Sequence, residues 1–185
     1  MRWDLLASVV IWGWTFVATR ICLQVLTPAE VLTFRLWLAI PVLALIALSR
    51  RKGFSVSRRE FRPVLIGSTL LTAHFLVQIT GLKTTSATNT GWIIAAIPLV
   101  MALLSFLILG ERLGRRELVG IAIATLGIVL LVSRGRLADL DWLKSTGDWL
   151  ILASCHTWAL FTIATRNLSR SRDPMAVTFL VLLPA

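Results

Sequence analysis

The stretch WDLLASVVIWGWTFVATR, residues 3–20, recurs in altered form as WLILASCHTWALFTIATR at residues 149–166. When the chain is shifted by 146 residues without gaps, residues 3–39 overlie residues 149–185, and twelve of the 37 aligned positions are identical. The identities include tryptophan, arginine and proline, which a shared apolar composition alone does not bring into register. We therefore interpret the chain as one complete repeat followed by the beginning of a second.

Both copies are apolar enough to cross a membrane, whose hydrocarbon core of about 30 Å needs roughly 20 residues of helix. We predict six complete spans, at about residues 5–22, 29–48, 63–82, 88–109, 117–133 and 147–166, and a seventh that begins at Pro174. Each repeat then holds five spans. Because five is odd, the second repeat enters the membrane from the opposite side, as in secondary transporters built from inverted repeats. The expected fold is all-α: a polytopic membrane helical bundle with inverted five-span repeats, the second truncated.

The repeat also sets the expected domain organisation. Residues 1–146 should form the first repeat, with five transmembrane helices, and residues 147–185 the start of the second, with span 6 and part of span 7. Two such repeats make a protein of about 290 residues and ten spans. The expected partner of this chain is therefore the missing C-terminal half of the same protein.

Composition supports a membrane protein. Of the 185 residues, 57% are hydrophobic and 15% are charged, against about 25% charged in a typical soluble domain. The net charge of +10 does not indicate a nucleic-acid partner, because thirteen of the Lys and Arg residues fall on the side that carries the N-terminus and five on the other. By the positive-inside rule, we expect a multi-pass protein of the inner (plasma) membrane with a cytoplasmic N-terminus.

The sequence offers no signature of an enzyme. Its two cysteines and two histidines have no metal-ligand spacing, and it contains neither a CxxC nor an HExxH pattern. Glycine-rich phosphate loops are missing as well. We expect no catalytic residues, no metal site and no cofactor.

A set of local patterns carries a family resemblance. They are Trp12-Gly13, Pro28, Arg35, Thr85-Ser86-Ala87, Pro98, Gly110-Glu111-Arg112, Gly120, Gly127 and Trp158. Together they resemble the drug/metabolite transporter superfamily, specifically its EamA-type ten-span carriers. The resemblance implies a central cavity, alternating access, and transport of a small metabolite such as an amino acid, a related metabolite or a drug, with export the expected direction. The alternative is a non-transporting structural or multimer-forming membrane subunit.

Polar and aromatic residues inside the spans are the candidates for a substrate site, because polar groups in hydrocarbon usually face the bundle interior or a water-filled cavity. On span 3, His74 and Gln78 share a helical face. They either bond neighbouring helices or line a cavity, and His74 is the plausible proton-handling residue at this depth. Trp12 and Trp158 occupy matching positions of the two repeats, where they either pack or stack on a substrate.

Span 4 begins with a polar run at residues 84–90, which is either a helix N-cap region or a set of donors facing substrate. The candidate substrate-binding residues are Trp12, Thr15, His74, Gln78, Asn89, Trp92 and Trp158.

Four further expectations concern helix ends and packing. Arg35 should snorkel or pair with backbone carbonyls, with substrate-anion binding as the alternative. Glu111 should pair with Arg112, Arg115 or Arg116 and anchor the turn between spans 4 and 5, with a cytoplasmic gate as the alternative. Gly120 and Gly127 should allow close helix packing. Pro28, Pro63 and Pro174 should sit at span starts, and Pro98 should bend span 4.

Overall fold

The computed structural model describes residues 3–49, 56–111, 114–132, 143 and 145–184. These residues form eight helices: α1 (Trp3–Cys22), α2 (Pro28–Ser49), α3 (Arg58–Thr84), α4 (Ala87–Ile94), α5 (Ile97–Leu109), α6 (Arg115–Val132), α7 (Thr146–Ser171) and α8 (Pro174–Leu182). The expected class, an all-helical membrane bundle, is confirmed.

Each expected span coincides with helical structure. By length and hydropathy, four described segments qualify as membrane-crossing: Trp3–Cys22, Pro28–Ile46, Arg58–Thr84 and Ala87–Leu109. At 1.5 Å per residue, α6 with 18 residues and α7 with 26 extend about 27 and 39 Å, so both also have the length for a crossing. Span 4 is not continuous, because α4 ends at Ile94 and α5 begins at Ile97.

Proline lies at the start of three of the eight described helices and explains the break in span 4. Pro28 and Pro174 are the first residues of α2 and α8, where a missing N–H costs no helical hydrogen bond. Pro98 lies in the first turn of α5, which agrees with the expected bend. The expectation for Pro63 is wrong, because α3 already begins at Arg58 and Pro63 lies inside it.

The centre of the fold is an antiparallel pair, α3 and α7, whose contact is the most extensive between any two described helices. At one end, Gly81 approaches Gly147 so closely that a Cβ on Gly81 would lie 2.9 Å from the Gly147 carbonyl oxygen. At the other end, Glu60 accepts hydrogen bonds from Arg172 Nε (2.5 Å) and Nη2 (2.7 Å). The same bonds raise the pKa of Arg172 above its ordinary value.

Helix directions follow from contacts at the ends of the bundle. At the end of α1, Arg20 donates hydrogen bonds to the carbonyl oxygens of Leu82 (2.7 Å) and Lys83 at the end of α3. Because α3 ends where α7 begins, α1 and α7 run in opposite directions. This is the relation that an odd number of spans per repeat requires.

The two repeat-related helices differ in burial. On α7, Ile151 and Cys155 are fully buried. A shift of 146 residues relates them to Leu5 and Val9 of α1, which are exposed, Val9 by 65%. Within the part of the chain that is described, α1 therefore lacks the cover that α7 receives from α3, α4 and α5.

Two packing expectations are corrected. Gly120 and Gly127 do not mediate close contact among the described residues, since a Cβ at either would meet nothing within 4 Å. Among the described residues Glu111 forms an ion pair with Arg166 of α7 rather than with Arg115 or Arg116, so this contact ties the end of α5 to α7. Arg112, one of the expected partners, lies outside the described residues.

Candidate functional site

A cavity of about 160 Å³ lies inside the bundle between α1, α2, α3 and α7. Five of the seven candidate residues line it: Trp12, Thr15, His74, Gln78 and Trp158. They meet there because α1, α3 and α7 each present one polar or aromatic face to the same interior space. The remaining walls include Phe16, Thr19, Arg35 and Phe75, of which Phe16 and Phe75 were not considered from the sequence.

His74 has three hydrogen-bonding partners at the cavity. Its Nδ1 lies 2.9 Å from the carbonyl oxygen of Ser154 and 3.3 Å from the Thr157 hydroxyl, both on α7. Its Nε2 lies 3.4 Å from Gln78 Nε2. Because a carbonyl oxygen only accepts, Nδ1 carries the proton and Nε2 of a neutral ring accepts from the Gln78 amide. His74 therefore bonds a neighbouring helix and lines the cavity at once.

Aromatic rings form one side of the same cavity. The Trp158 ring is centred 5.0 Å from the His74 ring, with the two planes tilted by 51°, and Phe161 continues the cluster at 5.4 Å from Trp158. On α1, the rings of Trp12 and Phe16 are 6.3 Å apart. The two repeat-related tryptophans thus both border one space, and whether they pack or stack on a substrate there stays a prediction.

Arg35 lies against an aromatic ring at the cavity. Its guanidinium carbon lies 5.0 Å from the centre of the Phe75 ring, in cation–π range. Among the described residues it has no hydrogen bond to a backbone carbonyl and no ion pair. The expected pairing with carbonyls is thus not seen among the described residues, and snorkelling toward the membrane surface stays a prediction. Among the same residues, the half-buried guanidinium facing the cavity has no anionic partner.

A second, apolar groove of about 630 Å³ runs between α1, α4 and α5. Trp92, the sixth candidate, lines this groove and does not reach the smaller cavity. Trp12 and Phe16 line both spaces, so they form the wall between a polar compartment and an apolar one.

Asn89, the seventh candidate, lies outside both spaces, near the start of α7. Its Nδ2 donates a hydrogen bond to Asp148 Oδ1 (2.6 Å), and the Thr85 hydroxyl donates to the same oxygen. The backbone N–H of Ser145 donates to Asp148 Oδ2 (2.9 Å). This buried carboxylate was missed from the sequence, where the Ser-x-x-Asp capping pattern of α7 was its one signal.

The other part of the polar run is a helix cap. Ser86 precedes α4, and its hydroxyl oxygen accepts a hydrogen bond from the Asn89 backbone N–H at 3.0 Å. The N-cap alternative for residues 84–90 is thus confirmed for Ser86. Since this cap and the Asp148 contacts engage Ser86, Thr85 and Asn89, the run fastens α4 to the start of α7.

Residues 3–133 match the EamA-like transporter family. The chain belongs to that family. The resemblance to the drug/metabolite transporter superfamily is thereby confirmed, and the family is one of transporters rather than enzymes. The EamA-like match covers α1 to α6 and leaves out α7, so Trp158 is contributed to the cavity from outside the matched part.

Three relatives illustrate this membership. The EamA-like chain is 28% identical over 181 residues to "Uncharacterized transporter YyaM" of Bacillus subtilis (strain 168), covering 94% of this chain and 58% of the relative. It is 31% identical over 175 residues to an "Uncharacterized transporter" of Archaeoglobus fulgidus, with coverages of 92% and 59%. It is 28% identical over 168 residues to a "Probable terminal-alkyne amino-acid exporter" of Streptantibioticus cattleyicolor, with coverages of 90% and 54%.

The EamA-like chain therefore spans a little over half the length of each of these curated relatives. No solved structure matches it.

Proposed function

We propose that the complete protein carries a small organic metabolite across the inner (plasma) membrane by alternating access, and that the cavity between α1, α2, α3 and α7 is its substrate site. The observation that carries this proposal is the composition of the cavity: polar and aromatic side chains, from Thr15 to Trp158, meet inside a bundle of apolar helices. Burying polar groups at such depth costs free energy, so they are usually bonded to one another or line the pathway of a solute.

The substrate class we propose is an amino acid, a related metabolite or a drug, moved outward. One relative, which matches 90% of this chain, is named a probable terminal-alkyne amino-acid exporter. The cavity suits such a solute, since it offers hydroxyl and amide groups for a polar head and the rings of Trp12 and Trp158 for an apolar body.

We propose further that a second five-span repeat completes the site. The apolar face of α1 around Val9 is exposed, whereas the repeat-related face of α7 around Cys155 is fully buried. An inverted repeat predicts that α1 packs against a helix of the second half as α7 packs against α3. The greater length of the curated relatives supports the same arrangement.

Transport is tested in two ways. Efflux of a labelled amino-acid mixture is measured from proteoliposomes made with the complete protein, and metabolite efflux is compared between cells that lack this protein and cells that overproduce it. We expect saturable flux that Trp12→Ala reduces and Trp14→Ala does not, because Trp14 lies outside the cavity and is 70% exposed. Absence of flux for every metabolite class favours a structural or multimer-forming subunit instead. The 185-residue chain alone should give no flux, and saturable flux from it contradicts the ten-span arrangement.

A further inference from the structure

The guanidinium of Arg35 is the one charged group among the residues that line the cavity. It lies against the face of Phe75, and among the described residues no carboxylate or carbonyl oxygen bonds it. Other polar side chains of the cavity wall do have partners: Gln78 bonds His74, and His74 bonds the Ser154 carbonyl oxygen of α7. The cavity thus contains a cation whose hydrogen-bond donors are not engaged by any of the described residues.

A cation held inside a membrane bundle is costly unless it is paired or hydrated. A phenyl face compensates part of that cost but accepts none of the five N–H bonds that a guanidinium offers. The planar fork of donors matches the two oxygens of a carboxylate. Because Arg35 supplies a single positive charge, a monoanion balances it, whereas a phosphate dianion leaves one charge uncompensated.

The volume of the cavity and the side chains that line it restrict the class of ligand further. A water molecule's share of liquid volume is about 30 Å³, so the 160 Å³ cavity has room for about five waters, or for one small solute. Phe16, Phe75 and Trp158 supply apolar walls beside Arg35, and Phe16 also borders the apolar groove.

We propose that Arg35 binds the carboxylate of a small monocarboxylic solute whose apolar part lies against these rings. This inference rests on the proposed function, since it names the chemical group by which the transported solute is held. The Arg35 donors form a charge-assisted pair with the carboxylate, and Phe75 orients the guanidinium by stacking on it.

The test is equilibrium dialysis on the complete protein in nanodiscs of phosphatidylcholine. The probes are labelled 4-methylpentanoate and its amide, 4-methylpentanamide, which have the same shape and differ in charge. We expect the carboxylate to bind about tenfold to a hundredfold more tightly than the amide, the range for a hydrogen bond to a charged group. Arg35→Gln should abolish this preference, and Arg35→Lys should keep part of it.

Arg59→Gln is the matched control, because it removes the same charge from an exposed site outside the cavity and should keep the full preference. Circular dichroism and thermal unfolding of each variant establish that it is folded. Equal binding of the two probes by the unmodified complete protein, failure of the carboxylate to bind it, or an undiminished preference in folded Arg35→Gln overturns the proposal.

Flux measurements on the complete protein separate this inference from the proposed function. Carboxylate binding that depends on Arg35, without flux of any metabolite, leaves the inference standing and removes the transport proposal. Flux that persists unchanged in Arg35→Gln leaves transport standing and removes the carboxylate site.

Discussion

His74 Nδ1 lies 2.9 Å from the backbone carbonyl oxygen of Ser154, and this hydrogen bond joins α3 to α7 beside the cavity. Both ring nitrogens of His74 have partners in a neutral form, with Gln78 on Nε2. The imidazole is therefore fixed in place as part of the framework between the two helices.

We expect His74→Gln to keep the parent's pH dependence of flux between about 5 and 8, because a neutral, fully bonded ring is positioned for structure rather than for proton transfer. Flux is measured in proteoliposomes of the complete protein at a series of pH values. His74→Leu serves as the structural comparison. It leaves the Gln78 amide without its acceptor and should lower the free energy of unfolding by about 1–3 kcal/mol. A flat pH profile in His74→Gln would instead assign proton handling to His74.

Trp12→Ala and Trp158→Ala should each weaken substrate binding in the complete protein by about threefold to tenfold. This range corresponds to the loss of about 0.5–1.5 kcal/mol of aromatic stacking. The readout is the dissociation constant of a transported solute. Trp14→Ala is the control, since Trp14 lies outside the cavity and should leave binding unchanged. If all three variants bind equally well, the two cavity tryptophans contribute packing alone.

Gly147→Ala should destabilise the 185-residue chain by about 1–3 kcal/mol, the usual cost of overpacking. A Cβ at Gly147 would collide with the Gly81 carbonyl oxygen and lie 2.9 Å from the Thr85 backbone nitrogen, so α3 and α7 would have to separate. Gly127→Ala makes the same chemical change where a Cβ meets nothing within 4 Å, and it should be neutral or slightly stabilising. Thermal unfolding in detergent compares the two, and equal effects would show that the α3–α7 approach is not tight.

Arg172→Gln should lower the apparent Tm in dilute salt, because it removes both hydrogen bonds that Arg172 donates to Glu60. The loss should shrink only in part in about 1 M salt, because the paired atoms are 2.5 Å apart, closer than the Debye length of about 3 Å. Arg170→Gln, an exposed arginine two residues away, should change the Tm little at either salt concentration. Equal Tm values for the two variants in dilute salt would remove the role assigned to the pair.

Topology is testable by cysteine labelling in a background without Cys22 and Cys155. A cysteine in place of Lys83 should react with an impermeant thiol reagent added to intact cells, and one in place of Lys52 should not, because the cation-rich loops favour the cytoplasm. Lys83 lies at the end of α3, and Lys52 lies outside the described residues. Labelling of position 52 from outside would reverse the predicted orientation.

The membrane-spanning helices were predictable because each depends on a local property, a run of about 20 apolar residues. The five cavity residues were predictable because polar side chains on apolar helices usually face the bundle interior. Contacts between helices that are distant in the sequence were not predictable. Nothing local distinguishes Gly81 and Gly147, which touch, from Gly120 and Gly127, which meet open space. Whether Arg35 finds a carbonyl partner likewise depends on how α2 and α3 pack, which periodicity does not encode.

The bond between His74 and Ser154 also imposes an order on biosynthesis. The two residues are 80 positions apart, so a ribosome adding about 5–20 residues per second needs about 4–16 s between them. During that interval the His74 imidazole has its Gln78 partner on α3 but lacks the Ser154 carbonyl oxygen of α7. We therefore expect α3 to stay with the insertion machinery, away from lipid, until α7 is made.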